Sequence, residues 1–273
     1  MATVLCLHGF PDGPETFTPL RGLLDTQGFT SQAPYLPGHR PEDAATFLGK
    51  AERLGTLPAA LDGLADLDIE GPIHLIGHDW GAVLGYALVG QGGRYLGDRV
   101  ARLSRQVVSF TALAIPPLVS PVTNALRHPR ALTRFDYLAA FQLPRLPEWL
   151  IARPDFLAAL TRRWSPGFEL PASVTDGVTR RYRDPAVRRA VLAYYRALFV
   201  RDPFTSWRLI MSPPTVPTLV IAGERDGCFG AEVFPETTRA IGAGLVKVVS
   251  GHFPQLEASA EVMSAWLTFV ATR

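Results

Sequence analysis

The chain is poor in sulfur and almost without lysine. Its 273 residues include 2 Cys and 3 Met, too few cysteines for a disulfide framework and without the paired Cys–His spacing of a structural zinc site. Cys6 sits in an apolar run and reads as a small core residue. Lys50 and Lys247 are the only lysines, so nearly all of the 27 basic residues are arginine. With the Ala, Gly and Pro content, this points to a GC-rich, bacterial genome. Neither charge sign dominates: 27 basic against 25 acidic residues give a net charge of +2. The pairs Arg162-Arg163, Arg180-Arg181 and Arg188-Arg189 are too short for a nucleic-acid patch and read as solvated helix faces. No apolar run approaches the ~18 residues of a membrane span. The opening MATVLCLHGF lacks the basic region and the apolar length of a signal peptide. A soluble, cytoplasmic protein is therefore expected, with no nucleic-acid and no membrane partner. Repeats, low-complexity segments and Gly-rich phosphate loops are missing, which argues against solenoids and nucleotide binding.

What is present is an ordinary globular balance, 47% hydrophobic and 19% charged, enough to bury a large core. Short apolar runs alternate with helical patterns. Strands are expected at 3–7, 29–36, 73–76, 106–113, 218–222 and 245–249, and helices at 58–66, 82–89 and 261–270. Several strands are continuously apolar, as in a parallel sheet covered on both faces. The alternation implies a doubly wound α/β fold. Between Pro116 and about Pro214 the strand pattern stops, and helical runs at 124–142, 148–164 and 184–200 take over. The chain thus divides into an α/β core, 1–115 and 214–273, and a helical insertion, 116–213.

The third strand runs into Gly77-His78-Asp79-Trp80-Gly81. This has the G-x-S-x-G shape of a nucleophile elbow, with Asp79 in place of serine and the small residues a tight strand-to-helix turn needs. A carboxylate is ionised at neutral pH and can attack directly. It suits displacement at a saturated carbon, which leaves an ester on the enzyme that a base-activated water must hydrolyse. An acid follows the fifth strand in Gly223-Glu224-Arg225-Asp226, and a histidine follows the sixth in Ser250-Gly251-His252. The order nucleophile, acid, histidine suits this fold. Asp226 would orient His252; Glu224 and Asp202 are its rivals. The first strand ends in His8-Gly9-Phe10-Pro11, so the Phe10 and Trp80 amides could form an oxyanion hole. The bland reading of Asp79 is a helix cap. That of His8, His39 and His78 is structural, since no metal-ligand spacing accompanies them.

HGFPDGPETF (8–17), PYLPGHRP (34–41), GHDWGA (77–82), GERDG (223–227) and SGHFPQLE (250–257) resemble α/β-hydrolases of the epoxide hydrolase and haloalkane dehalogenase branch, over nearly the whole chain. The resemblance implies an α/β-hydrolase fold with a helical cap over 116–213, and an aspartate nucleophile. FDYLAAFQ (135–142) resembles the first cap tyrosine motif of epoxide hydrolases and AYYRALF (193–199) the second. They nominate Tyr137 and Tyr195 to hold the epoxide oxygen, with Tyr182 and Tyr194 as alternatives. Phe10, Trp80 and Phe141 would line the substrate pocket; Trp149, Phe156, Trp164, Phe199 and Trp207 read mostly as core. The expected reaction converts a small apolar epoxide and water to a vicinal diol, without cofactor or metal. A haloalkane dehalogenase, or a non-catalytic member that binds a small ligand, are the rival readings. The family usually carries two antiparallel strands ahead of the His8-Gly9 strand. Starting at that strand implies about six strands, mostly or all parallel, with 29–36 as an exposed edge. A packed loop or a partner, which could be a second copy of the chain, is expected to cover it.

Overall fold

The computed structural model describes residues 2–90, 96–119, 127 and 133–272. One six-stranded sheet in the order β2-β1-β3-β4-β5-β6 organises them. The strands are β1 (Thr3–Leu7), β2 (Thr30–Gln32), β3 (Ile73–His78), β4 (Val107–Leu113), β5 (Thr218–Gly223) and β6 (Gly244–Val248). All five pairings are parallel, as expected. The edge strand β2 is much shorter than the sequence suggested, because Ala33-Pro34-Tyr35 leaves the ladder and Pro34 has no N–H to give it. A three-residue edge offers little to an intruding strand.

Strand alternation feeds two layers. Val4 and Cys6 of β1, Ile76 of β3 and Ile221 of β5 face one side, where α1 (Thr18–Thr26) and the C-terminal helix (Ser259–Ala271) cover them through Leu20, Leu24, Val262 and Trp266. Leu5, Leu7 and Leu75 face the other side, under α3 (Thr56–Leu64) and α4 (Trp80–Val89). Burial on both faces is why these strands are continuously apolar. Helix α2 (Pro41–Leu54) was not evident in the sequence; Pro41 starts it, and Asp43 accepts the Arg40 amide as the return half of a capping box.

Between β4 and β5 the described residues hold only helices: α6 (Asp136–Gln142), α7 (Leu146–Ile151), α8 (Pro154–Trp164), α9 (Ala172–Arg181), α10 (Pro185–Arg196) and α11 (Pro203–Ile210), where α5 (Asp98–Gln106) precedes β4. Most of the expected segment 124–132 lies outside the described residues. The run 148–164 is two helices, since Pro154 cannot continue the first and instead opens the second. Proline recurs at the start of α10 and α11, fixing φ where the missing N–H costs nothing. Asp184 caps α10 by accepting from the Ala186 and Val187 amides at 2.7 and 3.4 Å. A π-helical turn over Ala197–Arg201 ends it.

One reading of the basic pairs is corrected. Arg181 is buried, not solvated: it donates to Glu15 Oε1 at 3.0 Å, the Asp12 carbonyl at 3.1 Å and the Tyr35 hydroxyl at 3.3 Å. It thereby ties α9 to the loop after β1. Arg188 likewise turns inward to the Tyr182 carbonyl at 2.5 Å.

Candidate active site

The carboxyl ends of parallel strands are where side chains of this architecture converge on a crevice. The ends of β1, β3, β5 and β6 bring Phe10, Asp79, Asp226 and His252 together here. Asp79 sits between β3 and α4 at φ 48°, ψ −120°, a left-handed conformation that a side chain adopts only under constraint. The surrounding glycines permit it. A Cβ on Gly81 would fall on the Leu7 carbonyl, one on Gly77 on the Gly81 carbonyl, and one on Gly9 on the Asp79 side chain.

The two oxygens of Asp79 have different neighbours. Oδ1 accepts the Phe10 amide at 2.8 Å. Oδ2 lies 3.6 Å from His252 Nε2, a nitrogen that meets no hydrogen-bond partner. The Trp80 amide, expected as a second donor, makes no hydrogen bond to this carboxylate. His252 Nδ1 bonds Asp226 Oδ2 at 2.9 Å, and the other oxygen of Asp226 accepts the Cys228 and Phe229 amides at 2.6 and 3.1 Å. Asp226 is thus fixed by its own loop before it meets the imidazole. Burial opposes a charge on His252, but Asp226 and then Asp79 outweigh it and lift its pKa to about 10. Of the rival acids, Glu224 is exposed. Asp202 instead accepts the Thr56 amide at 3.1 Å, at the start of α3.

Behind the strand ends lies a buried polar cluster. Asp12 accepts from the Gly9 amide at 2.7 Å and the Thr16 hydroxyl at 3.0 Å, and lies 3.2 Å from His78 Nδ1. His78 Nε2 donates to the His252 carbonyl at 2.8 Å. Burial works against the Asp12 charge, yet the hydrogen bonds to His78 and His8 hold its carboxyl below the usual range. His8 accepts the Leu36 amide at 3.0 Å. These histidines make loop hydrogen bonds.

Above the sheet, the helices between β4 and β5 close the site with aromatic rings. Tyr195 of α10 packs edge-on against Trp80, Phe141 and Phe10 at ring-centre distances of 5.0, 5.0 and 5.4 Å. Its hydroxyl is buried and meets no partner at hydrogen-bond geometry. Tyr137 of α6 lies 6.1 Å from Tyr195, ring to ring, and its hydroxyl meets Cys228 Sγ at 3.6 Å. Burial, reinforced by the Asp79 charge, keeps both phenols well above their ordinary pKa and so neutral. Tyr194 is placed elsewhere: its hydroxyl donates to the Pro37 carbonyl at 2.8 Å.

Two rings that the sequence did not single out for the site also stand here. Trp164, at the end of α8, packs 5.2 Å from His252 and 5.1 Å from Tyr137. Tyr182, just past α9 and noted only as an alternative tyrosine, stacks on Phe10 at 6.1 Å and an interplanar angle of 17°. As to metals, Asp226, Cys228 and His252 offer ligand atoms all within 4.8 Å of one another. Asp226 and His252 are already engaged with each other, and burial holds the Cys228 thiol neutral, so this is a poor cation site. No described helix is long and apolar enough to cross a membrane.

A model of the alpha/beta hydrolase family matches residues 4–265. The chain is 27% identical over 257 residues to mouse Epoxide hydrolase 3, covering 92% of this chain but only 61% of the mouse protein. It is 28% identical over 308 residues to Epoxide hydrolase A of Mycobacterium tuberculosis, covering 98% and 89% of the two chains. Among solved structures it resembles a product-bound mutant of an epoxide hydrolase from Bacillus megaterium, with a TM-score of 0.69 at 20% identity over 99% and 94% of the two chains. At that identity the likeness concerns the fold alone.

Proposed function

Since the chain belongs to the alpha/beta hydrolase family, its chemistry is to be sought at the ends of β3, β5 and β6, and we propose that it hydrolyses epoxides to vicinal diols through an ester on Asp79. The observation that carries this reading is the division of labour around one carboxylate. Oδ1 is held by the Phe10 amide, Oδ2 is left facing His252, and two buried neutral tyrosines stand above.

In the first step Asp79 Oδ2 attacks an epoxide carbon. The carbon–oxygen bond breaks, and the departing oxygen takes a hydrogen bond and then a proton from Tyr195 or Tyr137. Their high pKa keeps the proton available. Esterification removes the Asp79 charge, one of the two that hold His252 protonated. The imidazole then releases its Nε2 proton to the phenolate and becomes a base, with Asp226 fixing its tautomer. In the second step His252 takes a proton from water while the water oxygen attacks Asp79 Cγ. Charge develops on Oδ1, already at the Phe10 amide; the Trp80 amide is the proposed second donor. Collapse breaks the ester, and the diol oxygen takes the proton from His252. The new Asp79 carboxylic acid passes its remaining water proton to the imidazole, which restores the Asp79 carboxylate and the protonated His252. Residues 116–213 act in this reading as a helical cap that supplies the tyrosines and excludes water. Phe141 shapes the apolar wall. The mechanism asks for no metal or organic cofactor. The relatives named as epoxide hydrolases favour an epoxide over a haloalkane or a purely bound ligand. We also propose a cytoplasmic, bacterial setting.

The test is intact-protein mass measurement of His252→Gln after exposure to an epoxide panel and, separately, a haloalkane panel. The second step is blocked, so the ester should accumulate. A gain equal to the whole epoxide, mapped to Asp79, is expected. A gain only from haloalkanes, equal to the alkyl group, would make the protein a dehalogenase. No adduct from either panel would count against a nucleophilic Asp79.

A further inference from the structure

Two tyrosines suffice to hold an epoxide oxygen, yet the aromatic enclosure contains two further hydrogen-bond donors. Trp164 Nε1 and the Tyr182 hydroxyl are buried and unpartnered; their residues are 0% and 1% exposed. Burying a donor without an acceptor is costly, and most buried polar groups avoid it. Trp266 Nε1 is also unpaired, but it sits in the opposite core layer between Phe29 and His74. The Trp164 and Tyr182 rings instead both touch Phe10, whose amide holds Asp79. Trp164 also lies against His252 and Tyr137.

The proposed epoxide chemistry makes no use of these two donors. We propose that Trp164 Nε1 and the Tyr182 hydroxyl form a second polar subsite, which takes an uncharged oxygen acceptor on the substrate a short distance from the epoxide. The substrate class is then an epoxide bearing a neighbouring ether, hydroxyl or carbonyl oxygen, rather than a plain hydrocarbon epoxide. A carboxylate is disfavoured. Both donors are neutral, Asp79 repels an anion, and the adjacent cation, Arg181, is taken by Glu15 and the Asp12 carbonyl. This proposal rests on the epoxide reading of the same site.

The experiment compares kcat/KM for butyl glycidyl ether and for terminal epoxyoctane, in which a methylene replaces the ether oxygen. Wild type, Tyr182→Phe, Trp164→Phe, the double variant and Trp266→Phe are each measured. The ratio between the two substrates within each protein cancels general losses of activity or folding. A neutral hydrogen bond is worth about a factor of five. The ether-to-hydrocarbon ratio should therefore fall by about fivefold in each single variant and further in the double one, and stay at the wild-type value in Trp266→Phe. If Trp164→Phe folds poorly, Tyr182→Phe alone, which removes one oxygen, still decides the matter. Turnover of both epoxides with a ratio unchanged by the substitutions would overturn the subsite and leave the epoxide reading intact. Turnover of neither, with no adduct on Asp79 in His252→Gln, would overturn both.

Discussion

The two tyrosines above Asp79 are not equivalent. Tyr137 already shares its hydroxyl with Cys228 Sγ at 3.6 Å, whereas the Tyr195 hydroxyl has no partner to give up. Tyr195→Phe should slow ester formation by about 10²-fold, the lower range for general acid catalysis. Tyr137→Phe should cost less, since its bond to sulfur is lost as the new one forms. Single-turnover adduct formation in the His252→Gln background measures this; equal losses would refute the asymmetry. His252 gives a second test at this scale. With its pKa lifted to about 10, its NMR titration should lie far above that of a free histidine. Asp79→Asn removes one of the two carboxylates responsible and should bring it down, while a titration indifferent to Asp79 would contradict the closeness of the pair. The resemblance of AYYRALF to a cap motif nominated Tyr195 over Tyr194; helical periodicity by itself could not. Neighbours on a helix point about 100° apart, and only the packing of α10 decides which faces Trp80 and which faces Pro37. Cys228 escaped notice because a lone cysteine in a loop carries no spacing signal. Tyr182 was legible as an alternative tyrosine and Trp164 as an aromatic of the core, but neither as a wall beside Phe10, since each lies at the end of a helix whose direction the sequence does not fix.

Among the elements, the β3–Asp79–α4 turn was the most legible and is the least tolerant. Its geometry demands small residues at fixed spacing, so the chemistry is written locally as Gly77-His78-Asp79-Trp80-Gly81. Gly81→Ala would drive a methyl into the Leu7 carbonyl on the neighbouring strand, a backbone clash that cannot relax by rotamer change. A loss of roughly 3 kcal/mol is expected, read from the urea midpoint. Gly22, inside α1, has nothing within 4 Å of an added Cβ; Gly22→Ala should raise stability by about 0.5–1 kcal/mol. A Gly81→Ala protein as stable as wild type would mean the turn is looser than its φ implies. The strands were readable because burial on both faces makes them uniformly apolar. Helix α9 was not: ASVTDGVTRR carries few apolar residues, and its anchor is a charge, Arg181, which pattern reading assigns to solvent. Partnership with Glu15 and the Asp12 carbonyl overrides that rule.

For the whole molecule, the buried His39 and His252 and the half-buried His74 shape stability against pH in opposite directions. Burial, with the nearby His8, holds His39 well below 6.5, and burial alone lowers His74. A group whose pKa falls on folding binds its proton better when unfolded, so it costs stability as pH drops below 6.5. His252 is the reverse. Its pKa rises from 6.5 to about 10, so its contribution is complete below 6.5 and is lost as pH climbs towards 10. Asp12, held below the usual carboxylate range by His78 and His8 against its burial, adds a second acid loss once unfolded aspartate begins to protonate, near pH 4. The buried phenols of Tyr137 and Tyr195 enter only near pH 10, where unfolded tyrosine ionises. Burial also raises the Cys6 and Cys228 thiols, which enter as unfolded cysteine ionises near pH 8.5, so the interval from about pH 7 to about pH 8 belongs mainly to His252. Urea midpoints of wild type should decline across it, and those of His252→Gln, which cannot titrate, should stay level. Parallel curves would show that the imidazolium held between Asp226 and Asp79 does not stabilise the folded chain, and with it would fall the argument that esterifying Asp79 is what turns His252 into a base.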